Sequence, residues 1–312
     1  MSEYDRYREA LARIAELANS AIASGNLPEN GRLQDNGSAA EAKYSCTLKF
    51  LPKSLLVPAA KTAVEINPMN APVFGPLASV NMDLVSDPLR AAVVTGKYWG
   101  SQPRRLSVSF MEPTPSDLRR RIVQHLNAWT KTGCIEFAET QGTGQVRISR
   151  GEGGYWSYLG TDITHIPTNE QTMNLEGFTM STSEAEFHRV VRHEAGHTLG
   201  MPHEHMRREL VARIDPEKAY DYFRRTQGWD RPTVDQQVLT SLDDRTILGT
   251  APDQTSIMCY QLPGSITSDG KPITGGVDIN PTDFDFVGRI YPKPSNNVFA
   301  VHQQWEQEYA NA

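Results

Sequence analysis

Cysteine is scarce in this chain: 3 in 312 residues, at Cys46, Cys134 and Cys259. An odd number cannot all pair, which excludes the disulfide-dense scaffolds of small secreted domains. No run of about 18 apolar residues is present, so no membrane-spanning helix is expected. The opening residues, Met1 to Glu9, carry no apolar core of a signal peptide, which leaves the cytoplasm or leaderless export as the expected location. An excess of positive charge is missing as well. The formal net charge is −6 and the pI about 5.8, which argues against a nucleic-acid or anionic-membrane partner. The remaining composition is that of a globular protein, long enough for one large domain or two ordinary ones.

What the chain does contain is concentrated between Val190 and His205. His193, Glu194, His197, Gly200 and His203 form the pattern H-E-x-x-H-x-x-G-x-x-H. With 8 His and 23 Gly in the chain, chance produces three His and one Gly in that spacing in fewer than roughly one chain in a thousand. On a helix, residues four apart share a face, so His193 and His197 can point at one metal ion. Glu194 is then near enough to reach a water on that ion. Gly200 permits a left-handed turn that ends the helix, Pro202 keeps Met201 out of the helical region, and His203 can return as a third ligand. Three protein ligands leave a fourth position open, the arrangement of a catalytic zinc site.

The motif resembles that of the metzincins, and its details resemble the astacin branch. Glu204 follows the third histidine, and Ser256-Ile257-Met258-Cys259-Tyr260 resembles the methionine-containing turn. Departures from the family pattern fall at Cys259, where His is usual, and at Met201, where Phe is usual. The resemblance runs from about residue 98 to residue 292. It implies an α+β, two-subdomain zincin: a twisted mixed sheet with helices above a zinc cleft, and a mainly helical or irregular lower subdomain. It also implies one Zn2+ on His193, His197 and His203, Glu194 as general base, and Met258 as an apolar floor beneath the metal. Tyr260 would ligate the resting metal and swing away to support the oxyanion. Peptide or protein is the implied substrate, and Gly153 to Gly160 resembles the stretch beside the edge strand that pairs with it. Cys134 stands where a family half-cystine would lie, yet no C-terminal cysteine is available to meet it, so all three thiols are expected to be reduced.

In chain order, Tyr4, Tyr7, Leu11, Ile14, Leu17 and Ile22 follow helical spacing, and residues 25–40 read as a loop. Residues 48–66 hold a strand or a helix. Residues 1–96 form an N-terminal extension apart from the catalytic unit (97–293), either a pro-segment or a permanent structural extension. Its candidate metal blockers are Cys46, Asp83 and Asp87, since thiolate and carboxylate both bind zinc. A strand over 105–111, a helix after Pro113 capped by Thr114 or Ser116, and short strands at 134–137 and 145–148 follow. Ser183 and Glu186 resemble a capping box at the start of the motif helix. His188 is read as structural and His205 as solvated. A helix over 216–227, a loop-rich stretch over 228–254, a helix between Pro281 and Pro292 and a polar tail (294–312) with a short helix near Trp305 complete the reading. The expected protein is a monomeric zinc metalloendopeptidase. A catalytically silent zinc-binding recognition protein and an amide hydrolase of cell-wall peptides are the alternatives.

Overall fold

The structure is a computed structural model that describes residues 46–71, 95–241 and 252–294. The expected helix over Tyr4 to Ile22, the loop at 25–40, Asp83, Asp87 and the helix near Trp305 lie outside the described residues. Residues 48–66 turn out to hold both kinds of element, β1 (Cys46–Lys49) and α1 (Lys53–Ile66).

Alternation builds the sheet. In β2 (Arg104–Phe110), Leu106 and Val108 are fully buried while Arg105 is exposed, the period-two pattern of a strand with one face on a core. α2 (Ser116–Leu126) follows, burying Leu118, Ile122 and Leu126 at helical spacing. Its start corrects the expected cap: the N-cap is Pro115, and the Thr114 hydroxyl donates to the Glu112 carbonyl instead. β3 (Ile135–Glu139) and β4 (Val146–Ser149) pair with the two sides of β2, both parallel. β5 (Tyr155–Tyr158) is antiparallel to β6 (Met173–Leu175), which is parallel to β4. The resulting order is β1-β5-β6-β4-β2-β3, a mixed sheet whose outer strand on one side is β1, parallel to β5.

α3 carries the histidine motif behind the sheet. It begins as Glu184–Glu186, capped by the Ser183 hydroxyl, passes through a π-helical turn (Phe187–Val191) and continues as Arg192–Thr198. The π turn is absent from the sequence pattern, because Phe187, Val190, Val191 and Leu199 fit an unbroken helix equally well. Two indoles donate to its carbonyls: Trp129 Nε1–H to Arg192 O and Trp99 Nε1–H to Thr198 O, each at 2.8 Å.

Below the cleft, α4 (Pro216–Gln227) is capped by Asp215 and closed by Gly228 at φ 68°. Residues 228–254, expected to be loop, instead contain a helical turn (Arg231–Val234) that runs into a second π-helical turn (Asp235–Leu239). The segment folds because Asp230 caps it and Val234 and Val238 bury into the lower core. α5 (Pro281–Ile290) starts from a full capping box between Asn280 and Asp283. Three hydrophobic clusters result among the described residues. One lies between the sheet, α2 and α3, a second gathers Leu210, Phe223, Val234, Val238 and Leu262 below, and a small third packs Leu51 and Ala59 against Ile166.

Residues 46–71 do not stand apart from the catalytic unit as expected. β1 completes the sheet, and Ala59, Ala60, Ala63 and Val64 of α1 are buried. Asn70, 2% exposed, donates to Ala63 O and Tyr98 O and accepts from Tyr98 N, all at 2.8–2.9 Å. Asn70→Ala would leave two buried backbone groups, Tyr98 N–H and Tyr98 O, unpaired and remove one of the two bonds to Ala63 O, and should lower unfolding stability by about 3 kcal/mol. A denaturant midpoint that falls with an unchanged slope checks this.

Candidate active site

α3 brings His193 and His197 to one face, and two backbone carbonyls decide which nitrogen each ring presents. His193 Nδ1–H donates to Ile257 O at 2.6 Å and His197 Nδ1–H to Met201 O at 2.7 Å. Both Nε2 lone pairs are thereby turned inward. Gly200 sits at φ 96°, and a Cβ there would also lie 2.9 Å from Lys97 O, so glycine is required by both conformation and space. The reversal it permits places His203 Nε2 3.0 Å from His197 Nε2. All three rings are buried. Burial pushes His193 down to about 4 and holds His197 and His203 well below the usual imidazole range, so all three stay neutral.

Ligating atoms of Cys46, His193, His197 and His203 lie within 4.8 Å of one another. Neutral ring nitrogens facing each other, with His193 Nε2 buried and unpartnered, suit a cation rather than one another. Imidazole and thiolate are the donors zinc takes, so these residues fit the metal that the motif implies. Of the candidate blockers, Cys46 lies among the described residues and is brought to the histidines. All three cysteines are free, as expected, with Cys46 and Cys259 buried.

Glu194 is fully buried and neither carboxylate oxygen has a hydrogen-bond partner among the described residues. Burial pushes its carboxyl up to about 8, against the opposing pull of the neighbouring Cys46 thiol and the Arg189 guanidinium. A cavity of about 350 Å³ opens beside it, lined by Cys46, Tyr155, Arg189, His193 and Tyr260 among others. The Tyr260 hydroxyl is buried in it without a partner, and its ring lies 4.2 Å from that of His203.

The methionine turn is held from α5. Asp283 accepts from the Ser256 hydroxyl at 2.5 Å and from Ile257 N at 3.0 Å, and the Ser256 hydroxyl accepts from Met258 N. Met258 packs under the site as expected: a Cβ on Gly196, between the two helical histidines, would meet its sulfur at 2.4 Å. Gly196 is thus a functional position that the motif pattern left blank.

Two further histidines separate cleanly. His188 is structural as expected, bonded to Asp278 and Glu184. It shares those carboxylates with His125, Arg121 and Arg192, a network that clips α2 to α3 with guanidinium charge already in place. His205 corrects the expectation of a solvated ring. It is fully buried, stacks on Tyr260 at 4.2 Å and 16°, and donates from Nε2 to Gln237 O at 2.9 Å.

Comparison with known proteins adds to this geometry. The family described as Astacin (Peptidase family M12A) matches residues 94–270. Zinc metalloproteinase nas-27 of Caenorhabditis elegans is 35% identical over 100 residues, 32% of this chain and 21% of that protein. The chain therefore spans about a fifth of the length of that curated relative. The solved structure of myroilysin is similar at a TM-score of 0.59, with 31% identity, covering 64% of this chain and 97% of that one.

Metal analysis should find about one zinc per chain. In the Cys46→Ala background, where no thiolate can substitute, His203→Ala should lose most of it, because the two imidazoles that remain come from one helical turn. Full zinc retention in that variant would refute the three-histidine site.

Proposed function

Because the chain belongs to the astacin family, peptidase family M12A, we propose that it is a zinc-dependent metalloendopeptidase with Glu194 as its general base. The observation that carries this reading is the unpartnered Glu194 carboxylate, buried beside three convergent imidazoles and open to a cavity. A protein that only bound metal would need the histidines and not a buried carboxylate. When bound, zinc supplies a Lewis acid that brings the pKa of its water toward about 7 and polarises the scissile carbonyl.

The protein's own groups do the rest. His193, His197 and His203 hold the metal. Glu194 takes the proton from water as it attacks and returns it to the leaving amine. The Tyr260 hydroxyl, without a partner among the described residues, is left to donate to the oxygen on which negative charge develops. Met258 supports the ligands from below and touches no reacting atom.

The described form is a resting one in this reading, and residues 1–96 act as a pro-segment. Cys46 faces the position that water needs, and a site with four protein donors is of the closed, non-catalytic kind. In this form Cys46, rather than Tyr260, would be the fourth ligand, and withdrawal of β1 would free the position.

The test uses the full chain carrying Cys46→Ala, assayed on a denatured protein. Adding Glu194→Ala should keep zinc and fold but lower turnover by about 10² to 10⁴. Equal rates would remove Glu194 as the base. Adding Tyr260→Phe instead should lower kcat by about 10² to 10³ with KM unchanged, the pattern of a contact made only in the transition state.

A further inference from the structure

β1 is gripped from both sides. Along one edge it ladders with β5, Cys46 opposite Tyr155 and Leu48 opposite Ser157. On the other edge one side chain of the lower subdomain meets it. Leu48 N–H donates to Gln237 Oε1 at 3.1 Å, and Gln237 Nε2 donates to Leu48 O at 3.0 Å. The N–H and C=O of one strand residue point the same way, so a single carboxamide satisfies both.

Nothing in this pair of bonds involves the Leu48 side chain. A carboxamide placed this way would accept any residue in extended conformation except proline, which has no N–H. Gln237 is 5% exposed and is fixed to the metal site through its own backbone, since its carbonyl accepts from His205 and His205 stacks on Tyr260. Its reach is therefore set relative to the metal, two residues along the chain from the group facing it. A protease that cleaves unfolded chains needs contacts to backbone that ignore sequence, and a sheet edge supplies them on one side of the cleft only.

We propose that Gln237 is a positioning residue for substrate, its carboxamide clamping the backbone of an extended peptide where Leu48 now lies. The proposal rests on the peptidase reading and on β1 occupying the substrate cleft. Its substrate class is an unstructured polypeptide that extends past the reacting bond on the Gln237 side.

Two measurements on the full chain test it. In the zinc-loaded protein, alkylation of Cys46 by iodoacetamide, located by mass spectrometry, reports how often β1 leaves the cleft. Gln237→Ala should raise that rate about tenfold, the loss of two hydrogen bonds. In the Cys46→Ala background, a set of peptide substrates N-methylated at successive positions should show one position where methylation lowers kcat/KM about tenfold. Gln237→Ala should erase that penalty. Gln237→Glu, which keeps the acceptor, should retain it, a pattern that damage to the 235–239 turn would not produce. An unchanged alkylation rate together with an unchanged methylation profile in Gln237→Ala would overturn the proposal. Failure of the latency reading is separately visible: a chelator would then leave Cys46 alkylation of the parent unaltered.

Discussion

Two ring N–H groups, each donated to a backbone carbonyl, hold the site in place. His193 gives its Nδ1 proton to Ile257 and His197 gives its own to Met201. Because both protons are committed outward, the opposite nitrogens meet as lone pairs in a buried space, which is the condition for metal binding. Each carbonyl has its own support. Ile257 is fixed by Asp283, which also caps α5, so the start of that helix reaches the metal through one carboxylate and one turn. Met201 is fixed by the reversal at Gly200. A change in either support would rotate an imidazole before it altered the fold.

The site also leaves several buried polar atoms without partners among the described residues: both oxygens of Glu194, Nε2 of His193 and the hydroxyl of Tyr260. Each such atom costs about 1–3 kcal/mol in a folded interior. Their concentration around one cavity marks the place where metal, water and substrate supply the missing bonds. Arg147, buried and far from this cavity's lining, directs its guanidinium to five backbone carbonyls between Gly144 and Glu170.

β1 contacts both the upper sheet and the lower cluster. It is a strand of the upper sheet, yet Cys46 belongs to the lower hydrophobic cluster with Val238 and Tyr260. Backbone pairing above, a carboxamide below and a thiol at the histidines let a four-residue strand close the cleft. The first two contacts involve only backbone groups that any extended peptide carries.

The sequence by itself singled out the three histidines, Glu194 and the methionine turn, because their spacing is local: four residues on a helix, a glycine turn, a serine two residues before a methionine. It also determined β2, α2, α4 and α5, where apolar periodicity is clear, although the cap of α2 differs from the one the sequence offered. Contacts distant in sequence were decided by tertiary structure. Nothing near Cys46 distinguishes it from Asp83 or Asp87 as a blocker; only its strand register with Tyr155 brings it to the histidines. His205 reads as a surface residue until the turn at 235–239 covers it, and that turn is helical only because Val234 and Val238 find the lower core. Gln237, 189 positions from Leu48, carries no local signal at all. Local spacing sets which groups can act, and the packing of distant segments sets what stands in front of them.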